Sequence, residues 1–254
     1  MKRQQIRKLL LITSLLLFPI TLYYFSPALI INAGLNGIIN GSFIVFVLMF
    51  FLSIPFGRLF CAYLCPAGGL QECAFLVNER QPKQGWRNYI KYIIWIIWLS
   101  LVILCYFQKG KIVKIDFLFE TENGISVSSI QSYIIYYGIV CLIFIPSILL
   151  GKRAFCHYLC WMAPFMVLGT KLRKLLHLPG IHIETSKINN CISCGKCNKV
   201  CPMGIDVMSE TKCGIIGNLE CIQCGACIDS CPKNVLSYGM IARKENGNGK
   251  RKED

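Results

Sequence analysis

The chain has 254 residues, 54% of them hydrophobic, with 27 basic residues against 13 acidic ones for a formal charge of +14. So apolar a composition excludes an ordinary soluble domain and points to a membrane protein with a soluble appendage. A basic excess can signal nucleic-acid binding, but the placement of the charges along the chain removes the need for that partner.

Four apolar stretches are long enough to cross a bilayer, which takes about 20 residues of helix. They run Leu9–Ile31, Ile38–Pro55, Tyr89–Phe107 and Gln131–Leu150. Pro19 and Pro27 predict a kink or an early end in the first. Residues 1–25 resemble a signal peptide, but the apolar run outlasts a 7–15-residue signal core and no small-residue cleavage site follows it. The expectation is an uncleaved anchor. Tyr23, Tyr24, Tyr89, Tyr92, Tyr136 and Tyr137 are placed for a membrane interface.

Lys2, Arg3, Arg7 and Lys8 precede the first span; Arg58, Arg80, Lys83, Arg87 and Lys91 lie between the second and third; Lys152 and Arg153 follow the fourth. The positive-inside rule then puts both termini in the cytoplasm. Only Lys109, Lys111 and Lys114, offset by Asp116, Glu120 and Glu122, fall outside. That leaves 24 basic and 10 acidic residues on the cytoplasmic side, which accounts for the whole +14. Topology and lipid headgroups explain the charge, and no nucleic acid is expected as a partner.

The second and fourth spans end alike, in Gly57-Arg58-Leu59-Phe60-Cys61-Ala62-Tyr63-Leu64-Cys65-Pro66 and Gly151-Lys152-Arg153-Ala154-Phe155-Cys156-His157-Tyr158-Leu159-Cys160. Both contain F-C-x-Y-L-C, which predicts two helix–helix–C-x3-C repeats, about 9–80 and 89–176. An even number of helices per repeat sends both cysteine pairs to the cytoplasmic face. On a helix, cysteines at i and i+4 share a face, and two facing pairs would offer four thiolates: Cys61, Cys65, Cys156 and Cys160. Four thiolates suit a further iron–sulfur cluster, or a soft metal such as Cu(I) or zinc; reactive dithiols and inert buried thiols are the other readings. The spacing is not that of c-type haem attachment. His157, inside the second pair, reads as a polar packing residue. Glu72, His157, Asp116 and Glu120 sit at membrane edges as interfacial charges, and none is nominated for proton chemistry.

Trp161–Leu178 carries Phe165, Leu168, Leu172, Leu175 and Leu176 at a helical period, with Lys171, Arg173 and Lys174 between them. That predicts a helix lying on the cytoplasmic membrane surface, or a linker helix with those residues facing the core. Pro179-Gly180 ends it.

Next come Cys191-Ile-Ser-Cys194-Gly-Lys-Cys197-Asn-Lys-Val-Cys201-Pro202 and Cys221-Ile-Gln-Cys224-Gly-Ala-Cys227-Ile-Asp-Ser-Cys231-Pro232. Each is C-x2-C-x2-C-x3-C-P, the bacterial ferredoxin spacing for a [4Fe–4S] cluster, in which the fourth cysteine ligates the other cluster. The expected ligand sets are therefore Cys191, Cys194, Cys197 and Cys231 for one cluster and Cys221, Cys224, Cys227 and Cys201 for the other. Zinc sites pair C-x2-C units, often with histidine, and fit this pattern poorly. Disulfides fit a reducing cytosol worse. Gly195, Gly204 and Gly225 are expected to let the backbone turn around the clusters. Cys105 and Cys141 lie inside spans and are read as packing residues, Cys213 as packing near a cluster, and Cys73, eight residues past Cys65, as a spare-ligand candidate that is not adopted.

Spans, paired C-x3-C motifs and a C-terminal dicluster unit together resemble the NapH/NosR/CcoG group of membrane polyferredoxins. The matching residues are Gly57–Gly69, Lys152–Cys160 and Cys191–Pro232. Cys65-Pro66 keeps that group's C-x3-C-P; Trp161 replaces the proline after Cys160. The NapH-like arrangement is the closest in size, and that resemblance implies electron transfer from membrane quinol towards partner redox proteins.

The expected fold is a mainly α membrane protein, with four transmembrane helices in two repeats and a C-terminal α+β dicluster ferredoxin-like domain. The expected domains are 1–178, 181–241 and a disordered tail, 242–254. The expected role is electron relay at the cytoplasmic membrane through two [4Fe–4S] clusters, between a membrane donor such as quinol and a reductase or maturation partner. Two alternatives are metal handling, in which the C-x3-C thiolates bind a copper-like ion, and iron–sulfur redox sensing.

Overall fold

The computed structural model describes residues 2–82 and 85–240. Helix α1 (Lys2–Leu16) runs into α2 (Phe18–Thr21) and a 3₁₀ turn. The break between Lys2–Leu16 and Phe18–Phe25 is a 60° bend, placed by Pro19 in the first turn of α2. Helix α3 (Pro27–Asn36) starts with Pro27 at its first position, and the Ser26 hydroxyl accepts from the Leu29 N–H. Gly37, at φ 70°, closes it. The first apolar stretch is thus broken into three helices, with the expected kink at Pro19 and a new start at Pro27.

Ile38–Asn40 corrects the expected second span. It forms strand β1, paired in parallel with β2 (Lys114–Asp116). Asn40 then caps α4 (Gly41–Phe56) by accepting from the Phe43 N–H at 3.0 Å, and Gly57 ends it at φ 58°. Short helices α5 (Leu59–Tyr63) and α6 (Pro66–Cys73) follow, then α7 (Ile90–Lys109), α8 (Ile130–Leu150), α9 (Ala154–Tyr158) and α10 (Ala163–Leu175). A reciprocal Ser129–Ser132 capping box opens α8.

Among the described residues, two helices are long and apolar enough to cross a membrane, Trp86–Lys109 and Ile130–Leu150. A third qualifies if the bent pair counts as one span, and Gly41–Phe56 is apolar but shorter. Both long helices turn large apolar side chains outward, among them Ile93, Ile97, Leu104, Ile134, Ile145 and Leu149. An apolar surface of this extent needs a partner such as lipid.

The repeats cross over. α4 of the first packs mainly on α10 of the second, while α8 of the second packs on α6 of the first. This exchange brings the α4–α5–α6 and α8–α9–α10 segments, and their cysteines, face to face. The α4–α10 contact is tight at Gly169, where a Cβ would meet the Phe50 carbonyl at 2.8 Å and also strike the Ser53 hydroxyl. Gly169→Ala is expected to destabilise the protein by about 1–3 kcal/mol through overpacking, read as a lower thermal unfolding midpoint.

The buried face of α10 differs from the expected leucine stripe. Ala163, Met166, Val167, Thr170 and Arg173 face inward, while Leu168, Leu175 and Leu176 are exposed. Phe165 of the expected stripe does pack inward, edge-on to Phe46 of α4 with ring centroids 5.4 Å apart, and Gly169 allows the close crossing.

β3 (His182–Thr185) and β4 (Leu236–Gly239) pair antiparallel and close the C-terminal unit. Between them lie α11 (Lys196–Val200), α12 (Val207–Thr211) and α13 (Ala226–Ser230), with α11 packed on α13. The expected tail, 242–254, lies outside the described residues.

Candidate iron–sulfur centres

Each ferredoxin-type motif folds the same way. Cys-Ile-x-Cys leads into a glycine in the left-handed region, Gly195 at φ 68° and Gly225 at φ 73°, and then into a five-residue helix. The residue before the second cysteine is left-handed too, Ser193 at φ 52° and Gln223 at φ 57°. These turns wrap the backbone around the cysteines. Gly204 (φ 59°) turns the chain after Pro202.

The two motifs enclose two cavities. Cys191, Cys194, Cys197 and Cys231 line one, with Met208, Val235 and Leu236. Cys201, Cys221, Cys224 and Cys227 line the other, with Ile183, Met203, Ile205 and Ile222. The fourth cysteine of each motif thus stands in the other motif's cavity. Burial pushes the Cys221 thiol up to about 12 and the Cys201 thiol up to about 11, while backbone N–H groups of Gln223 and Ile205 favour their thiolates. The buried thiols therefore stay protonated unless a metal takes the proton's place.

The donor set fits a cluster better than a single ion. A tetrahedral zinc needs four donors at about 2.0–2.3 Å from one point. Among the described residues, no three His, Cys, Asp or Glu side chains converge that closely. Four thiols around an apolar cavity suit a multi-iron cube, which fills the space between them.

The second cavity faces the N-terminal helical part. Gln4 Nε2 donates to the Cys224 carbonyl at 3.0 Å and to Asp229 at 2.7 Å. Ile181 N–H donates to the Pro55 carbonyl at 2.9 Å. At Gly57 a Cβ would stand 2.6 Å from the Gln223 side-chain amide, which can swing aside, so it is the positive φ of 58° that calls for glycine. Glu220, next to Cys221, accepts from Arg58 Nη1 at 2.7 Å and from Lys91 Nζ at 2.6 Å. Burial would raise this carboxyl, but Arg58 and Lys91 outweigh it and hold Glu220 at about 2.

In the N-terminal helical part the C-x3-C pairs are not single helices. α5 ends at Tyr63, and Cys65 is extended (φ −75°, ψ 119°) before Pro66. α9 likewise ends at Tyr158, before Cys160. Each pair joins a short helix to the next turn, which corrects the expected i, i+4 face. The residue before a proline avoids helix, so Pro66 was a usable signal for the first break.

All four membrane-side cysteines are buried. Each lies within Coulombic reach of the other three, so the two repeats gather their pairs at one place. Gln71 Nε2 donates to Cys156 Sγ at 3.1 Å, and Ser147 Oγ holds the Gln71 carbonyl at 3.1 Å. Arg153 donates to the Cys61 carbonyl and to Glu72, both at 2.6 Å. Arg7 makes a two-pronged pair with the same Glu72.

Charge counting along the sequence treats Arg58 and Arg153 as cytoplasmic loop charges; they are 1% and 0% exposed. Each stands three residues before the first cysteine of its pair, and that repeated offset was the available signal. His157 is fully buried. Burial lowers its pKa to about 4 and keeps it neutral. Of the remaining cysteines, Cys73, Cys141 and Cys213 are exposed and Cys105 is intermediate, so none is a core packing residue.

These cavities and turns define a ferredoxin-type iron–sulfur protein. A family model described as a 4Fe-4S binding domain matches residues 41–84 and 134–179. Two described as 4Fe-4S dicluster domains match residues 190–236 and 171–206. No curated protein and no solved structure matches the chain. The chain carries 4Fe-4S ferredoxin-type domains, and iron–sulfur electron transfer is the chemistry they imply.

Proposed function

We propose that this chain is a membrane-anchored electron-transfer protein with two [4Fe–4S] clusters in its C-terminal unit. Cys191, Cys194, Cys197 and Cys231 hold the first, and Cys221, Cys224, Cys227 and Cys201 hold the second. The observation that carries this reading is the crossed lining of the two cavities, with one cysteine of each motif in the other motif's cage. When bound, such clusters accept and donate single electrons.

The chain's residues position them. α11 and α13 set the two cages side by side, while Gln4, Glu220 and Gln223 dock the second against the membrane part. The anchor is residues 1–178, with Trp86–Lys109, Ile130–Leu150 and the bent Lys2–Phe25 pair as its membrane segments and the shorter apolar helix Gly41–Phe56 beside them. The dicluster unit is 181–241, on the cytoplasmic face with both termini. The basic residues around Arg80 and at the N-terminus support that orientation. The partners are the bilayer, a donor at the membrane such as quinol, and a reductase or maturation protein. The resemblance to the NapH-like group favours quinol.

The test is anaerobic purification of the full chain with iron and sulfide analysis and EPR. A Cys191→Ala/Cys194→Ala variant is expected to lose about four iron atoms per chain and one reduced-cluster signal. Unchanged iron would sink the assignment. In native membranes, quinol is expected to reduce the remaining signals, and silence towards every quinol would remove the quinol-linked role.

A further inference from the structure

We propose that Cys61, Cys65, Cys156 and Cys160 together ligate a third iron–sulfur cluster, one site shared by both repeats, with Arg58 and Arg153 as its hydrogen-bond donors. Neither repeat holds four cysteines at this place. The crossover packing of α4 on α10 and of α8 on α6 supplies two from each, and all six pairs lie within Coulombic reach.

Four buried thiols alone would be ordinary apolar packing. Their surroundings are not apolar. Arg58, Lys91, Arg153, Gln71 and His157 are all at or below 1% exposure. Glu72 and Glu220 are the carboxylates paired with Arg7, Arg58, Lys91 and Arg153. Four cations against two anions leave positive charge enclosed, and an uncompensated buried charge is costly. Arg58 Nε and Nη2 and Arg153 Nε have no hydrogen-bond partner. Arg58 and Arg153 both lie against Cys61 and Cys156. Unused N–H groups and excess positive charge around four thiols describe a place for a sulfur-rich anion. A thiolate-ligated iron–sulfur cluster is one, and its sulfides accept such donors.

The backbone repeats what the ferredoxin loops do. Gly68 N–H is directed at Cys65, and the Met162 and Ala163 N–H groups at Cys160, as Gln223 and Ala226 are at Cys221 and Cys224. A single Cu(I) or zinc ion is the poorer occupant, because no three of these donors meet at one point. The 4Fe-4S family match brackets both pairs, 41–84 and 134–179.

The same arginines also face the second ferredoxin cavity, Arg58 towards Cys221 and Arg153 towards Cys224. They therefore lie between the membrane-side cysteines and the dicluster unit. A third cluster there would place an electron-carrying site on each side of the pair, extending the relay to the membrane face.

The experiment uses the full chain in detergent, purified anaerobically. Wild type is expected to hold about 12 iron atoms per chain, and Cys61→Ala/Cys156→Ala about eight with both ferredoxin signals retained. About eight in wild type overturns the proposal whether or not the variant folds. So does iron in excess of eight that the variant keeps, or one copper or zinc per chain in its place. Arg58→Gln, which keeps all four cysteines, is expected to shift the potential of the extra signal. The Cys191→Ala/Cys194→Ala variant reads the dicluster assignment separately, so failure of one leaves the other standing or falling on its own.

Discussion

Glu220→Gln is expected to cost about 3–5 kcal/mol and to loosen the dicluster unit from the N-terminal helices. Breaking a buried ion pair from one side has that order of effect, because the partner charge stays buried without compensation. Here one carboxylate serves two cations. Arg58 and Lys91, with 1% and 0% of their side chains exposed, hold opposite oxygens of Glu220. The glutamine keeps the shape and one acceptor but leaves both charges facing the Cys221 loop. Hydrogen exchange across residues 181–240 and a thermal scan would read the loss. Wild-type protection in the variant would mean that the pair contributes little to docking.

The second buried triad predicts a pH dependence. Burial raises the Glu72 carboxyl, but Arg153 and Arg7 outweigh it, and the net shift is downward from 4.5. A carboxyl depressed in the folded state contributes its full stability above its unfolded value and loses it as pH falls through the folded one. Stability should therefore fall on acidification below about 4.5, and more shallowly in Glu72→Gln. An equal acid response in both proteins would show that Glu72 is not the group responsible.

How far the sequence disclosed this structure depends on how local each cause is. The ferredoxin cysteines were legible because their spacing is covalent: three on one loop and a fourth before proline leave few ways to fold. Gly195, Gly204 and Gly225 were legible for the same reason. The apolar stretches showed where helices lie, but apolar content does not separate a span's first turn from a strand. Ile38–Asn40 reads as helix and instead pairs with Lys114–Asp116, some 75 residues away, because only the folded chain brings the two together. The leucines of α10 show the same limit. Their period is helical, but the face that packs is the one with Gly169, where α4 can come close. Arg58 and Arg153 were hidden for a different reason. A basic residue after a span is ordinarily a solvated charge, and only the crossover of the repeats buries these two beside carboxylates and thiols.

Crossed ligation of the two ferredoxin cages should appear as a pattern of non-additivity. Cys201 belongs by sequence to the first motif but lines the cavity of Cys221, Cys224 and Cys227. Cys231 belongs to the second and lines that of Cys191, Cys194 and Cys197. Substitutions that disable one site are not additive with each other, whereas those at separate sites are. Cys201→Ala/Cys224→Ala should therefore lose about four iron atoms, little more than Cys224→Ala alone, while Cys201→Ala/Cys194→Ala should lose about eight. Cys231→Ala should give the mirror image, redundant with Cys194→Ala and additive with Cys224→Ala. Ligation of each cluster by its own motif predicts the opposite pairing in all four cases. The geometry favours the crossed form because the chain turns away at Pro202 and Pro232, after the short helices α11 and α13. Each fourth cysteine is thereby carried off its own loop and across the helix pair to the facing cage.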